Sequence, residues 1–112
     1  MTITVAEAIR RNRRAYRDRT TRSMADMLLA FDREIEAIES EIVEAAARGG
    51  ASTIIRQTTC PEFHAALLAL HDLADERQVK NAIAQALRVR QWGDRIRLEP
   101  ILRYGLLRVE WR

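Results

Sequence analysis

The sequence has few of the residues that stabilise small folds covalently or shape tight turns. It contains one cysteine, Cys60, two prolines and four glycines in 112 residues. A single cysteine cannot form an intrachain disulfide, which fits a reducing compartment. We therefore predict a buried thiol at Cys60, although a link to a second chain stays open. Aromatic residues make up only 5% of the chain, so aliphatic side chains must supply most of the core.

Other absences restrict the function. No apolar run reaches about 18 residues, so the sequence predicts no membrane span, and the Arg-rich N-terminus does not resemble a signal peptide. The sequence also lacks the G-x-S-x-G, P-loop and G-x-G-x-x-G motifs of hydrolases and nucleotide-binding proteins. We predict a protein that is not an enzyme and that uses no cofactor, no metal, no membrane and no small-molecule substrate.

The charges are present in number but are unevenly distributed. The net charge is only +3. Residues 1–22 carry seven arginines against two acids, a net charge of +5, whereas residues 23–47 carry one arginine against seven acids, a net charge of −6. Residues 48–112 carry eleven bases against seven acids, a net charge of +4. This segregation predicts that the basic and acidic segments have different partners.

The first 22 residues predict a basic amphipathic helix. Thr4-Val5-Ala6-Glu7 is a capping box, in which the threonine hydroxyl accepts from a first-turn N–H and the glutamate reaches back. At about 100° per residue, a thin apolar stripe falls on one side and arginines fall nearly opposite. The stripe consists of Val5, Ala8, Ile9, Asn12, Ala15 and Tyr16, and the arginine face of Arg10, Arg13, Arg14 and Arg17. The pattern predicts that this helix ends near Arg19-Thr20-Thr21.

The arginine face has three interpretations. It can contact an acidic protein surface, contact the phosphates of a nucleic acid, or simply be solvated. Tyr16 belongs to the apolar stripe, so no aromatic residue is interleaved with the arginines for base stacking. The stripe has too few large side chains to insert well into a membrane. We favour the acidic protein surface and keep nucleic acid as the alternative.

A second, long helix is predicted from a cap at Ser23 to about Arg48, with Gly49 closing its last turn in a left-handed conformation. Its apolar residues are spaced 4-3-4-3-4-3, as in the a and d positions of three heptads. They are Met24, Leu28, Phe31, Ile35, Ile38, Ile42 and Ala45. The e and g positions beside them are acidic, namely Asp32, Glu34, Glu39 and Glu41.

Those acidic flanks decide what this segment can pair with. Two parallel copies would bring like charges together along both edges, and an antiparallel pairing of residues 24–45 gains nothing. The apolar seam is better suited to a sheet, to a helix at 61–74 or to a basic partner. The obvious basic partner is the segment 1–22, which either folds back on its own chain or reaches a neighbour.

The rest of the chain predicts a small sheet with helices. The β-branched run at 53–58 predicts a strand. Pro61 begins a helical region that extends to about residue 90. This region can form one helix or two, and we favour two. Alternation at 95–99 and 106–111 predicts a C-terminal hairpin after a break at Gly93-Asp94. The chain is thus α+β. We expect a basic N-terminal helical arm at 1–22 and one small α+β domain at 23–112.

The residues around Cys60 allow a metal or nucleophilic site as an alternative to a structural role. Cys60, His64 and His71 can share one helix face, and zinc uses such side chains. Paired ligands at short spacing, as in C-x-x-C, are absent, and no further residue supports His64 as the base of a catalytic thiol. The favoured interpretation is a packed thiol and two partly exposed histidines, with no catalytic residue.

Several motifs, taken in order, resemble those of short structural proteins encoded by tailed bacteriophages. They are the helical start TVAEAIRRN, the helix IEAIESEIVEAAARGG running into STIIR, the helix VKNAIAQALRVRQWG, and the hairpin RIRLEP to GLLRVEW. The order Trp92-Gly93 departs from the Gly-aromatic order of that family, and the insertion around 60–74 lengthens the middle. The seam, the helix cap and the strand alternation, rather than the resemblance, predict structural roles for Leu28, Phe31, Ile35, Ile38, Ile42, Gly49 and Trp111.

The resemblance implies a small α+β protein that decorates or joins parts of a virion, such as a capsid cement or a head–tail junction component. Its expected partners are other virion proteins or copies of itself, and its expected location is the virion, with the host cytoplasm during assembly. We expect the basic arm and the edge of the terminal strand to make the inter-subunit contacts. The alternatives are a nucleic-acid-binding accessory protein that uses the same arm and a small regulator of an acidic host protein.

Overall fold

A computed structural model describes residues 4–90, 92 and 95–111, and it confirms the α+β class. In the described part of the chain, three α helices accompany a three-stranded antiparallel sheet. The elements are α1 (Val5–Ala47), β1 (Ser52–Ile55), α2 (Pro61–Leu70), α3 (Glu76–Val89), β2 (Ile96–Ile101), a 3-10 helix (Leu102–Tyr104) and β3 (Leu106–Trp111). The predicted break at Gly93-Asp94 lies outside the described residues.

Helix α1 is one continuous helix of 43 residues, so the predicted end near Thr20 and the new start at Ser23 are wrong. The segment between them contains no glycine or proline, and the hydroxyl of Thr20 donates to the Tyr16 carbonyl at 2.9 Å within the helix. The local caps therefore do not interrupt the helix. At about 1.5 Å per residue α1 is about 64 Å long, which matches the longest dimension of the molecule, 65 Å.

The two ends of α1 form largely as predicted. At the start, the Thr4 hydroxyl accepts from the Glu7 N–H at 3.2 Å, whereas the Glu7 carboxylate pairs with Arg11 at 3.5 Å. At the end, the Gly50 N–H donates to the Ala45 carbonyl and the Gly49 N–H to the Ala46 carbonyl, both at 2.9 Å. This double hydrogen bond is a Schellman motif, and Gly49 has the left-handed φ of +83° that it requires.

The core lies between one face of α1, helices α2 and α3, and one face of the sheet. The predicted seam supplies Phe31, Ile35 and Ile38 as buried residues, while Leu28 and Ile42 are partly buried. The seam is wider than a heptad repeat indicates because Met27 is also fully buried. The ring centroids of Phe31 and Phe63 lie 5.6 Å apart, so these two rings pack α1 against α2 in the core.

The region 61–90 forms two helices, the favoured alternative. The polar patch after α2 contains Asp75, whose carboxylate accepts from the Gln78 N–H at 2.7 Å, and the Gln78 side chain accepts from the Asp75 N–H at 3.3 Å. This reciprocal capping box starts α3 without any need for glycine or proline.

The sheet has the order β1-β3-β2, so the terminal strand β3 lies in the centre. Both of its edges are hydrogen-bonded, and the expectation that its edge makes inter-subunit contacts is wrong. The reason is the pairing of β1 with β3, which a local hairpin pattern cannot reveal. Strand β1 ends at Ile55, three residues before the predicted end. Pro100 lies within β2, where an edge strand tolerates it.

Candidate functional site

The first 18 residues of α1, residues 5–22, form an exposed projection that we call the basic arm. Every residue from Thr4 to Arg19 is exposed. The arginine face predicted from the sequence is brought together on one side of the arm, where it lines a shallow surface depression with Thr4, Glu7 and Arg11. Its members are Arg10, Arg13, Arg14 and Arg17. The four guanidinium groups are therefore available to a partner along about two turns of helix.

Among the described residues, the side-chain hydrogen bonds that join the basic arm to the body converge on one carbonyl. The hydroxyl of Tyr16 donates to the Leu73 carbonyl at 2.7 Å, and the one hydroxyl proton of Thr20 is shared between the same oxygen at 3.0 Å and the Tyr16 carbonyl at 2.9 Å. Leu73 lies in the turn between α2 and α3. Both lone pairs of this carbonyl are thus used. The two bonds fix the direction in which the arm leaves the body, and residues 5–15 extend about 16 Å beyond them.

The apolar stripe of the arm is present and is solvent-accessible. Val5 is 77% exposed, Ile9 49% and Tyr16 46%. At about 100° per residue, the stripe overlaps only one edge of the side of α1 that packs against α2 and the sheet, so it is not a simple continuation of the buried seam. The arm therefore presents an apolar line and an arginine face to solvent on nearly opposite sides.

The acidic flanks of the seam have specific partners within the chain. Glu34 accepts from the N–H of Phe63 at 2.6 Å and from the N–H of Glu62 at 3.4 Å, so it caps the start of α2 from a neighbouring helix. A carboxylate is favoured there because the first N–H groups of α2 lack helical acceptors and carry its positive dipole end. Cys60, the residue before Pro61, makes no side-chain cap bond of its own.

Other acidic residues of α1 also bind the body. Glu41 accepts from the Thr59 hydroxyl at 3.4 Å, and Asp32 pairs with Arg90 after the end of α3. Of the two alternatives left open by the sequence, the one in which the arm folds back onto its own acidic segment does not occur. The two are consecutive parts of one helix, so the arm lies end to end with the acidic segment and points away from it. The arm therefore cannot be the basic partner of its own acidic segment.

Cys60 is fully buried, as predicted. Its Sγ lies 3.9 Å from the Glu34 carbonyl oxygen, and the thiol is surrounded by the core. Burial, followed by the nearby Glu34 and Glu41 carboxylates, raises the pKa of the Cys60 thiol to about 12. The neutral thiol is therefore strongly favoured. This is the opposite of the lowered pKa that a nucleophilic or metal-binding cysteine needs.

The side chains of His64 and His71 contact residues other than Cys60. The Nδ1 atom of His64 is 2.9 Å from the Gly105 carbonyl oxygen, and it must be the donor because a carbonyl can only accept. His71 is exposed at the end of α2, with Nε2 3.9 Å from Asp72. Within residues 4–90, 92 and 95–111, no three His, Cys, Asp or Glu side chains come together in a way that would hold a metal ion.

Sequence reasoning missed the residues that connect the arm and the acidic segment to the body. The sequence places Tyr16 in the apolar stripe, Thr20 at a helix end and Glu34 in the acidic flank of the seam. Their partners lie 28 to 57 residues away in the chain. No local pattern encodes such pairs. The surplus of acids beside the seam was the only signal, and it did not identify the start of α2 as the partner.

Two further results concern the chain as a whole. No helix in the described part combines the length and the apolar character needed to cross a membrane. Comparison with protein-family models, with curated protein sequences and with solved structures found no match to this chain.

Proposed function

We propose that this chain is a non-enzymatic structural protein of a bacteriophage virion, a capsid cement or decoration protein or a head–tail junction component. The observation that carries the proposal is the basic arm, which continues α1 beyond the body with its arginine face exposed. The arm makes inter-subunit contacts to acidic surfaces of neighbouring proteins. The protein is located in the virion, and in the host cytoplasm during assembly.

The energetics of the arginine face support a partner of negative charge. Arg10, Arg13, Arg14 and Arg17 make four like-charge pairs at spacings of three or four residues. Each such pair destabilises an isolated helix by about 0.2–0.5 kcal/mol. An acidic surface in contact with the face removes this repulsion and adds attraction, so the arm gains stability when it binds.

The body supports the proposal by holding the arm in one direction. Continuity of α1 through Ser23 and the two bonds to the Leu73 carbonyl make the arm an extension of the core rather than a flexible tail. A rigid arm loses less conformational entropy on binding than a disordered one. This property suits a contact that must be repeated many times in an assembly.

The test is incorporation into particles. A variant with Arg10, Arg13, Arg14 and Arg17 replaced by glutamine keeps the helix but removes four positive charges. We expect its copy number in purified particles to fall at least tenfold, since several exposed ion pairs of about 0.2–1 kcal/mol each are lost together. The matched control replaces four other exposed arginines, Arg56, Arg77, Arg88 and Arg97, and should be incorporated normally. Equal incorporation of both variants would refute the proposed role of the arm.

The same exposed arginines favour one second candidate, a nucleic-acid-binding accessory protein. Phosphate contacts are electrostatic and weaken steeply as salt concentration rises. A salt titration of binding to duplex DNA, with the glutamine variant as the comparison, separates the candidates. Binding that is lost both at high salt and in the variant supports nucleic acid, and no binding at low salt removes this candidate.

A further inference from the structure

The continuity of α1 makes it a rod with opposite charges at its two ends. All the charges of residues 5–22 add up to +5 and those of residues 23–47 to −6, and the sign changes between Arg22 and Asp26. The helix dipole does not account for this order, because cations are favoured in the last turn and that turn contains no basic residue. The charge order therefore matters for contacts outside the helix.

Basic and acidic residues also lie on the same outward side of α1. At about 100° per residue, Arg10, Arg14, Asp32, Glu36 and Glu39 fall within a sector of about 80°. The body packs on a different side of the helix. Two large apolar residues adjoin the same sector and are exposed, Leu29 at 51% and Val43 at 66%. This outward face is thus charged, partly apolar and mostly exposed; within it, Asp32 pairs with Arg90 of the body and Glu39 is half-buried.

We propose that a second copy of this chain binds antiparallel along the outward face of α1, about a two-fold axis near Ala25. Each basic arm then lies on the acidic half of the other copy, and both contacts are made twice, as in an isologous dimer. The inference rests on the proposed function only in treating the arm as a protein-binding element, and it names a second copy of the chain as the acidic partner.

The antiparallel direction follows from the charges. A parallel pair would bring +5 against +5 and −6 against −6, whereas the antiparallel pair brings +5 against −6 at both ends. Ala25 is small and exposed at the point where the charge changes sign, so the two helices can approach closely there. The arm of the partner also covers Leu29 and Val43, which removes their apolar surface from water.

Sedimentation equilibrium of the full chain with charge-reversed variants tests the proposal. The arm variant carries Arg10→Glu and Arg14→Glu, and the acid variant carries Glu36→Arg and Glu39→Arg. We expect the wild type to form a salt-sensitive dimer of twice the 12.9 kDa chain mass. Each variant alone should dimerise about 10–100-fold more weakly. An equimolar mixture of the two should restore the dimer, because each arm then meets an acidic half of opposite charge.

The matched control, Arg77→Glu with Arg88→Glu, changes the net charge by the same amount on α3 and should leave the dimer unchanged. Far-UV circular dichroism confirms that each variant keeps its helix. A wild type that is monomeric at low salt, reversal variants that still dimerise, or a mixture that stays monomeric would each overturn the inference. A wild type that stays monomeric but binds duplex DNA would overturn it as well and assign the arm to nucleic acid.

The two proposals fail separately. A chain that is monomeric in solution and still enters particles through its arginines would overturn the dimer and leave the proposed function in place. A salt-sensitive dimer that is absent from particles would support the dimer and remove the proposed function.

Discussion

At the scale of single residues, the turn into β3 depends on the absence of a side chain at Gly105. This residue has a left-handed φ of +64°, and a Cβ placed on it would lie 2.6 Å from Nδ1 of His64. The His64 ring cannot move away easily, because it donates to the Gly105 carbonyl at 2.9 Å. Two separate penalties therefore apply to any larger residue, one from the backbone and one from the close contact.

We expect Gly105→Ala to lower the free energy of unfolding by about 2–4 kcal/mol, because the left-handed penalty and the clash with His64 add. The matched control is Gly49→Ala, whose φ is +83° but whose Cβ would meet nothing within 4 Å. It should lose only about 1 kcal/mol. Denaturant unfolding measures both, and equal losses would show that the contact with His64 is unimportant.

Glu34 is expected to stabilise α2 rather than the surface of α1. Glu34→Ala leaves the N–H groups of Glu62 and Phe63 without their acceptor, so the free energy of unfolding should fall by about 1–2 kcal/mol. Glu36→Ala, at an exposed position two residues away, should change it by no more than about 0.5 kcal/mol. Thermal or denaturant unfolding distinguishes the two, and similar small effects would argue against the cap.

The Cys60 thiol should make stability depend on alkaline pH. Its pKa is about 12 in the folded chain and about 8.5 when unfolded. The folded state therefore holds this proton more tightly. The contribution is fully present below about pH 8.5 and is lost as the pH rises towards 12. The stability advantage of the wild type over Cys60→Ala should narrow between about pH 7 and about pH 11, whereas a constant difference would contradict the burial of the thiol.

At the scale of elements, the sequence predicted helix boundaries best where the residues that start or end a helix lie within a few positions of one another. Gly49 ended α1 and the Asp75 patch began α3, since a left-handed residue and a capping box are encoded within a few positions. The break at Thr20-Ser23 was predicted from caps of the same kind and was wrong. Weak caps do not end a helix when its next turns are buried against a body, and Met24 and Met27 are held in that way.

The order of the strands in the sheet could not be predicted from local sequence patterns, because it depends on pairing between distant residues. The alternation at 106–111 identified β3 and its buried face, with Leu107 and Val109 inside as predicted. Nothing in a strand's own residues says whether it lies at the centre or the edge. The pairing Ile55 with Leu107 joins residues 52 positions apart, and only the packed fold determines it.

The attachment of the basic arm can be tested at the same scale. Tyr16→Phe with Thr20→Val removes both bonds to the Leu73 carbonyl and leaves that oxygen without its partners. We expect amide hydrogen exchange in the arm to become at least about fivefold faster, since each bond contributes about 1 kcal/mol. Tyr104→Phe removes a hydroxyl that only the adjacent Arg103 contacts in the described part of the chain, and it should leave the arm unchanged. Unchanged arm exchange in the double variant would mean that α1 is rigid without the attachment.

At the scale of the whole molecule, the structure determines where the segregated charges lie. In the sequence alone, residues 1–22 carry a net charge of +5 and residues 23–47 a net charge of −6, and the basic arm could still fold back on the acidic segment. The continuous helix excludes that and places the two charges in opposite halves of α1, along the 65 Å dimension of the molecule. The two charges are therefore exposed at separate places where other molecules can contact them, and the assembly function proposed above rests on this arrangement.

The most direct measurement of that function is the amount of this chain in purified, intact virions, determined by quantitative mass spectrometry against the major capsid protein. The account predicts a fixed ratio between preparations, unchanged after the particles are washed at moderate salt. Absence of the chain from intact particles, or a ratio that varies between preparations and falls to zero on washing, would contradict it.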